Sequence, residues 1–120
     1  MLDELGVEAA DLVTHDIGNM VGYAFAAQHP RQVTRWVAMD APLPGIGLWD
    51  EIPGAMHSAF EQFAAFSQDA LDNKAFAAKG KLAMPVLAIG PEKSFGTAQA
   101  EVMRLVASDV TAHVVANSGH

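Results

Sequence analysis

Four short apolar runs punctuate the chain: Ala10–Thr14, centred on Leu12 and Val13; Val33–Met39; Met84–Ile89; and Val110–Val115. Each has strand length, and the second is β-branched and aromatic, which suits a pleated, half-buried surface. The segments between them have helical character. Met20–Gln28 is small and apolar and stops before Pro30. Ala55–Ala78 is alanine-rich, and Phe60, Phe63 and Phe66 fall on one helical face as a core stripe. Thr97–Ala107 is expected to turn Ala98, Val102, Leu105 and Val106 inward. Strands alternating with helices predict a parallel sheet with crossover helices, an α/β fold of about four buried strands. Ahead of the first strand, Leu2, Leu5, Val7 and Ala9 among acidic residues read as a helix end, with Gly6 near its cap. Asp40–Pro53 is a loop rich in proline and glycine.

A chain of 120 residues has room for one such unit, so residues 1–120 are read as a single domain. Hydrophobic residues make up 51% and charged ones 18%, a globular composition. Seven basic against 14 acidic residues, a net charge of −7, argue against a nucleic-acid or anionic-membrane surface, which needs clustered Lys and Arg. With no cysteine there is no disulfide, thiolate metal site or cysteine nucleophile. No apolar run reaches the roughly 18 residues of a membrane span, and the acidic N-terminus does not resemble a secretory signal. The expected setting is soluble and cytoplasmic.

In an open parallel sheet, ligands bind beyond the carboxyl ends of the strands. The residues standing there are His15 and Asp16, then Asp40, then Glu92, and finally His120. Thr14-His15-Asp16-Ile17-Gly18 is the sharpest of these turns, small–x–Asp–x–small between a strand and a helix. Crowding at such a turn favours small neighbours, and the central residue sits on a strained backbone with its side chain exposed. The adjacent helix N-terminus favours an anion there. Asp16 read on its own is also a good helix N-cap, and Asp40 a good Asx-turn residue before Pro42. Glu92 on its own reads as a solvated loop charge. His29, His57 and His113 show no ligand-like spacing, so no metal site and no cofactor are expected.

Leu12–Tyr23, followed by Ala26-Ala27-Gln28-His29-Pro30, closely resembles the nucleophile elbow and following helix of α/β-hydrolases. The likeness is to the branch with an aspartate nucleophile, the epoxide hydrolases and haloalkane dehalogenases. Val37–Gly45 resembles that branch's next strand and loop, Met84–Gly90 its strand after the cap, and Ser118-Gly119-His120 its histidine loop. The resemblance implies a partial α/β-hydrolase fold in which residues 45–80 hold a shortened cap remnant and connecting helices. It implies that Asp16 attacks an electrophilic carbon to form an ester, that His120 activates the water that hydrolyses it, and that the Ile17 N–H supplies half of an oxyanion hole. For the acid that orients His120 it offers two positions, Asp40, 24 residues after Asp16, and Glu92; Asp40 is favoured. Ile17 stands where dehalogenases usually carry a halide-binding tryptophan, which favours the epoxide side and a small hydrophobic substrate.

The sequence departs from the family in three places. The earlier strands and the oxyanion loop have no counterpart, the cap is short and lacks its tyrosines, and the helix after the histidine is missing. A truncated sheet would leave an unpaired edge at the first strand and one thinly covered face, open to self-association. The alternative to an active hydrolase is therefore a non-catalytic remnant or an interaction module.

Overall fold

In the computed structural model, which describes residues 2–47 and 66–120, the four apolar runs pair into one parallel sheet. β1 (Ala10–His15), β2 (Val33–Met39), β3 (Val86–Pro91) and β4 (Val110–Val115) lie side by side in chain order. α1 (Ile17–Gln28) connects the first pair, α2 (Phe66–Ala78) precedes β3, and α3 (Ala98–Val106) connects the last pair. The fold is the α/β arrangement that the alternation of runs predicts.

The cross-strand register explains which residues form the core. Leu12, Trp36, Val86 and Val110 stand in one row, and Thr14, Ala38, Ala88 and Ala112 in another. Leu12, Trp36, Ala38, Val86, Ala88 and Val110 pack with Tyr23 and Ala26 of α1 and with Val102, Met103 and Val106 of α3 in a single cluster. Both helices therefore cover the same face of the sheet, as right-handed crossovers between strands in sequential order require. The small Ala38–Ala88 row lets the helices come close. Gly22 does the same on α1: a Cβ there would meet Thr14 Cγ2 at 2.9 Å.

Several boundaries differ from the sequence reading. The start of the chain is not a helix end but a short 3-10 turn, Asp3–Leu5, with Gly6 in a left-handed turn at φ +67°. β1 runs one residue further, to His15, and α1 begins at Ile17, so the expected break is already its first turn. β3 starts after Pro85, whose carbonyl accepts from the Trp36 N–H at 3.0 Å. On α3, Leu105 is exposed rather than inward. The buried stripe is Gln99, Val102, Met103 and Val106, at i, i+3, i+4 and i+7. The steric demand expected at Gly18 falls instead on Gly22, since a Cβ at Gly18 would make only an ordinary 3.7 Å contact with Thr14.

The outer strands are less buried than expected, because both are sheet edges. β4 is exposed over most of its length, and β1 alternates half-buried and exposed residues. The sheet face away from the helices carries the rows Val13–Val37–Leu87–Thr111 and His15–Met39–Ile89–His113. Among the described residues no element covers it, and Val13 is 64% exposed. Phe60 and Phe63 of the expected aromatic stripe, and most of the expected cap remnant, lie outside the described residues. No helix among the described residues is long and apolar enough to cross a membrane.

Candidate functional site

The carboxyl edge of the sheet collects side chains from three strand ends. Asp16 follows β1, Asp40 follows β2, and the turn after β4 brings back His120. Both aspartates have positive φ, 53° at Asp16 and 45° at Asp40, a region L residues enter at a cost. The Asp16 side chain makes no capping hydrogen bond to α1, so the N-cap role is not taken. Its backbone is held instead. The Asp16 N–H donates to the Met39 carbonyl at 3.2 Å, and the Asp16 carbonyl accepts from the Asn19 N–H at 2.8 Å.

Asn19 is the hub of this bend and is fully buried. Its Nδ2 donates to the Met39 carbonyl at 2.8 Å, and its Oδ1 accepts from the Met39 N–H at 3.3 Å and the Thr14 hydroxyl at 2.5 Å. Thr14 Oγ1 in turn accepts from the Trp36 indole N–H at 2.7 Å. The chain Trp36–Thr14–Asn19–Met39 pins the end of β1 to the end of β2 and leaves the Asp16 carboxylate half-exposed. Sequence reasoning missed Asn19. Its only signal was a polar residue in the first turn of an otherwise apolar helix.

Asp40 is 2% exposed, and its carboxylate is used in full. Oδ1 accepts from the Phe95 N–H at 3.2 Å, and Oδ2 lies 2.6 Å from His120 Nδ1. The Asx turn toward Pro42 is therefore not what occupies this side chain. Burial pushes the Asp40 carboxyl up, but hydrogen bonds from Ser94, His120 and the Phe95 backbone outweigh it and hold it below its ordinary value. Gly90 makes this possible. A Cβ there would sit 1.8 Å from the Gly96 carbonyl oxygen, so only glycine lets the 91–97 loop fold over β3 and present Phe95 to Asp40.

His120 faces both aspartates. Its Nε2 is 3.6 Å from Asp16 Oδ2, and both side chains are about half-exposed. The hydrogen bond to Asp40 and the charges of Asp40 and Asp16 raise the imidazole above its ordinary value of 6.5, against a smaller opposing effect of burial. Glu92 makes no such pairing. Its Oε2 accepts from the Asn117 N–H at 2.6 Å, and the backbone beside it bonds Val115 and Ser118, so it ties down the turn that carries His120. That is a structural role that a solvated loop charge would not have. Ile17 opens α1, where the first N–H groups have no intrahelical acceptor, and its side chain is exposed. The His15 ring stacks at a tilt on His120, centroids 4.5 Å apart. His15, Asp40 and His120 each offer a ligand atom within 4.8 Å of the others, a cluster no sequence spacing revealed.

No family model matches the chain, and no curated protein does. Solved structures do. Cfl2 from Burkholderia cenocepacia is 23% identical and superposes with a TM-score of 0.80 over 99% of this chain and 62% of its own. The epoxide hydrolase CorEH is 18% identical at a TM-score of 0.74, over 99% of this chain and 64% of that one. MGS-MChE2, an α/β-hydrolase enzyme from lagoon-sediment metagenome at Mar Chica, Morocco, is 17% identical at 0.70, over 99% and 56%. The fold is that of the α/β-hydrolases. Within that fold the chain spans about three fifths of the length of the solved structures it matches. Its four strands are a parallel, helix-flanked portion of the hydrolase sheet.

Proposed function

We propose that this chain carries the reactive edge of an epoxide-hydrolase-like α/β-hydrolase, with Asp16 as nucleophile, His120 as general base and Asp40 as the acid that orients it. A carboxylate oxygen of Asp16 attacks a ring carbon of a small hydrophobic epoxide. The ring C–O bond breaks, and the ring oxygen takes a proton from water, leaving a hydroxyalkyl ester. Neutral His120 then removes a proton from a second water, which attacks the Asp16 ester carbonyl. The ester C–O bond to the diol breaks, the departing alkoxide takes the proton of the carboxylic acid just formed, and the imidazolium proton neutralises the hydroxide left by the first water, so that His120 and the Asp16 carboxylate are both restored. Asp40 balances the imidazolium formed on the way, and the Ile17 N–H is the proposed donor to the tetrahedral oxyanion.

The observation that carries this reading is the line of contacts from Asp40 Oδ2 through the His120 ring to Asp16 Oδ2, 2.6 Å on one side and 3.6 Å on the other. Glu92, the alternative acid, is spent on Asn117 and is not proposed for that role. The test is incubation of the purified chain with styrene oxide, reading diol formation and a covalent mass increase at Asp16. The expected result is an adduct that Asp16→Asn lacks and that His120→Gln accumulates. An Asp16→Asn variant equal to the parent in both readouts overturns the assignment.

The uncovered sheet face favours a second reading, a non-catalytic interaction module that buries Val13, Val37 and Leu87 on a partner. Absence of any adduct, together with retained association through that face, would select it.

A further inference from the structure

We propose that His15, Asp40 and His120 form a binding site for a zinc-class divalent cation at the mouth of the carboxyl edge. Three side chains, each offering one donor atom, converge there from three strand ends, each within 4.8 Å of the others. Two imidazoles and one carboxylate are a donor set that zinc accepts, with a water completing the tetrahedron. Calcium and magnesium, which prefer all-oxygen shells, do not fit it.

The geometry requires only small movements. Tetrahedral ligands about 2.0–2.1 Å from zinc stand about 3.3 Å apart. The Asp40–His120 contact of 2.6 Å must open slightly, and the widest separation in the cluster, 4.8 Å, must close by more than an ångström. The adaptable members are the two imidazoles: the His15 and His120 rings are exposed and stack on each other rather than being locked in the core. Asp40 is the fixed member, buried and held by the Phe95 N–H, which leaves its other oxygen facing outward to His120. The second carboxylate, Asp16, lies 3.6 Å from His120 and adds negative charge beside the cation without having to ligate it.

One consequence rests on the hydrolase reading above: a cation here takes the His120 lone pair needed to activate water, so zinc would act as a reversible inhibitor relieved by a chelator. Binding itself is tested without substrate. Chelator-treated chain is titrated with zinc chloride by calorimetry and with cobalt chloride by visible absorption. The expected result is one zinc per chain and a tetrahedral cobalt band. His15→Gln and His120→Gln are each expected to weaken zinc binding by more than tenfold, while His29→Gln and His113→Gln leave it unchanged. Far-UV circular dichroism verifies that the variants fold. If they do not, the parent's cobalt spectrum decides, and absence of the tetrahedral band overturns the proposal. Zinc binding that survives His15→Gln, or that is lost in His113→Gln, overturns it as well. These readings stand whether or not styrene oxide is turned over.

Discussion

At the scale of single residues, the pairing of Asp40 with His120 sets a pH dependence whose sign can be worked out. His120 is raised above 6.5, so its contribution to stability is complete below that pH and is lost as pH rises through its folded value. Asp40 is lowered below 3.8, so its contribution is present above that pH and is lost as pH falls through its folded value. Urea midpoints measured across pH should therefore fall on both flanks of the interval from 3.8 to 6.5, and His120→Gln should remove the alkaline fall. The same raised imidazole must be neutral to accept a proton, so ester hydrolysis should rise with pH through a midpoint above 6.5. Asp40→Asn should move that midpoint down toward the ordinary histidine value and slow the step, as a pH–rate profile of adduct decay would register. Asp16 makes a separate prediction. Its φ of 53° with ψ of −130° is glycine territory, and such strain is worth about 1–3 kcal/mol. Asp16→Gly should raise unfolding stability by about 1 kcal/mol relative to Asp16→Asn while both lack the adduct, which is strain held at the proposed nucleophile and measurable by denaturant unfolding.

At the scale of elements, two glycines decide how closely the layers approach. Gly22 sits where α1 meets Thr14, Leu12 and Trp36, all within 3.4 Å of an added Cβ. Gly22→Leu should cost about 1–3 kcal/mol by overpacking and should be seen as a lower urea midpoint. Gly90→Ala is predicted to act further away. A methyl 1.8 Å from the Gly96 oxygen forces the 91–97 loop off β3, removes the Phe95 donor from Asp40, and should shift the pH–rate profile as Asp40→Asn does. The elements also show what a sequence discloses. β2 and β4 are found where their β-branched runs stand, and the strand ends pointed to Asp16, Asp40 and His120, because period and punctuation are local properties. Leu105 is exposed because Gln99 and Met103 take the buried stripe, and a buried glutamine accepting from the Ala41 N–H is a tertiary fact that hydropathy cannot show. That Gln99 Oε1 accepts from Ala41 at 2.9 Å depends on a partner 58 residues away. Glu92 bonding Asn117, His15 stacking on His120 and Asn19 bridging to Met39 were hidden for the same reason: each depends on register between strands far apart in sequence.

At the scale of the whole molecule, the proposed site and the uncovered apolar flank occupy different surfaces. The reactive groups line one rim, whereas the apolar row Val13–Val37–Leu87 lies on the flank without helices. Both outer strands present exposed edges, the arrangement that templates pairing with another chain. We therefore predict concentration-dependent self-association of the purified chain, read by size exclusion with light scattering. Val37→Lys should suppress it, and a cooperatively unfolding monomer at all concentrations would count against it. One further property follows from the hydrogen bond between the Trp36 indole and Thr14. That indole is the distal end of the relay holding the strand-to-helix bend, so the protein contains its own optical gauge of that bend's integrity. With Trp49 replaced by phenylalanine, the emission wavelength of the remaining chromophore would report, in real time, whether Asp16 is still held in position.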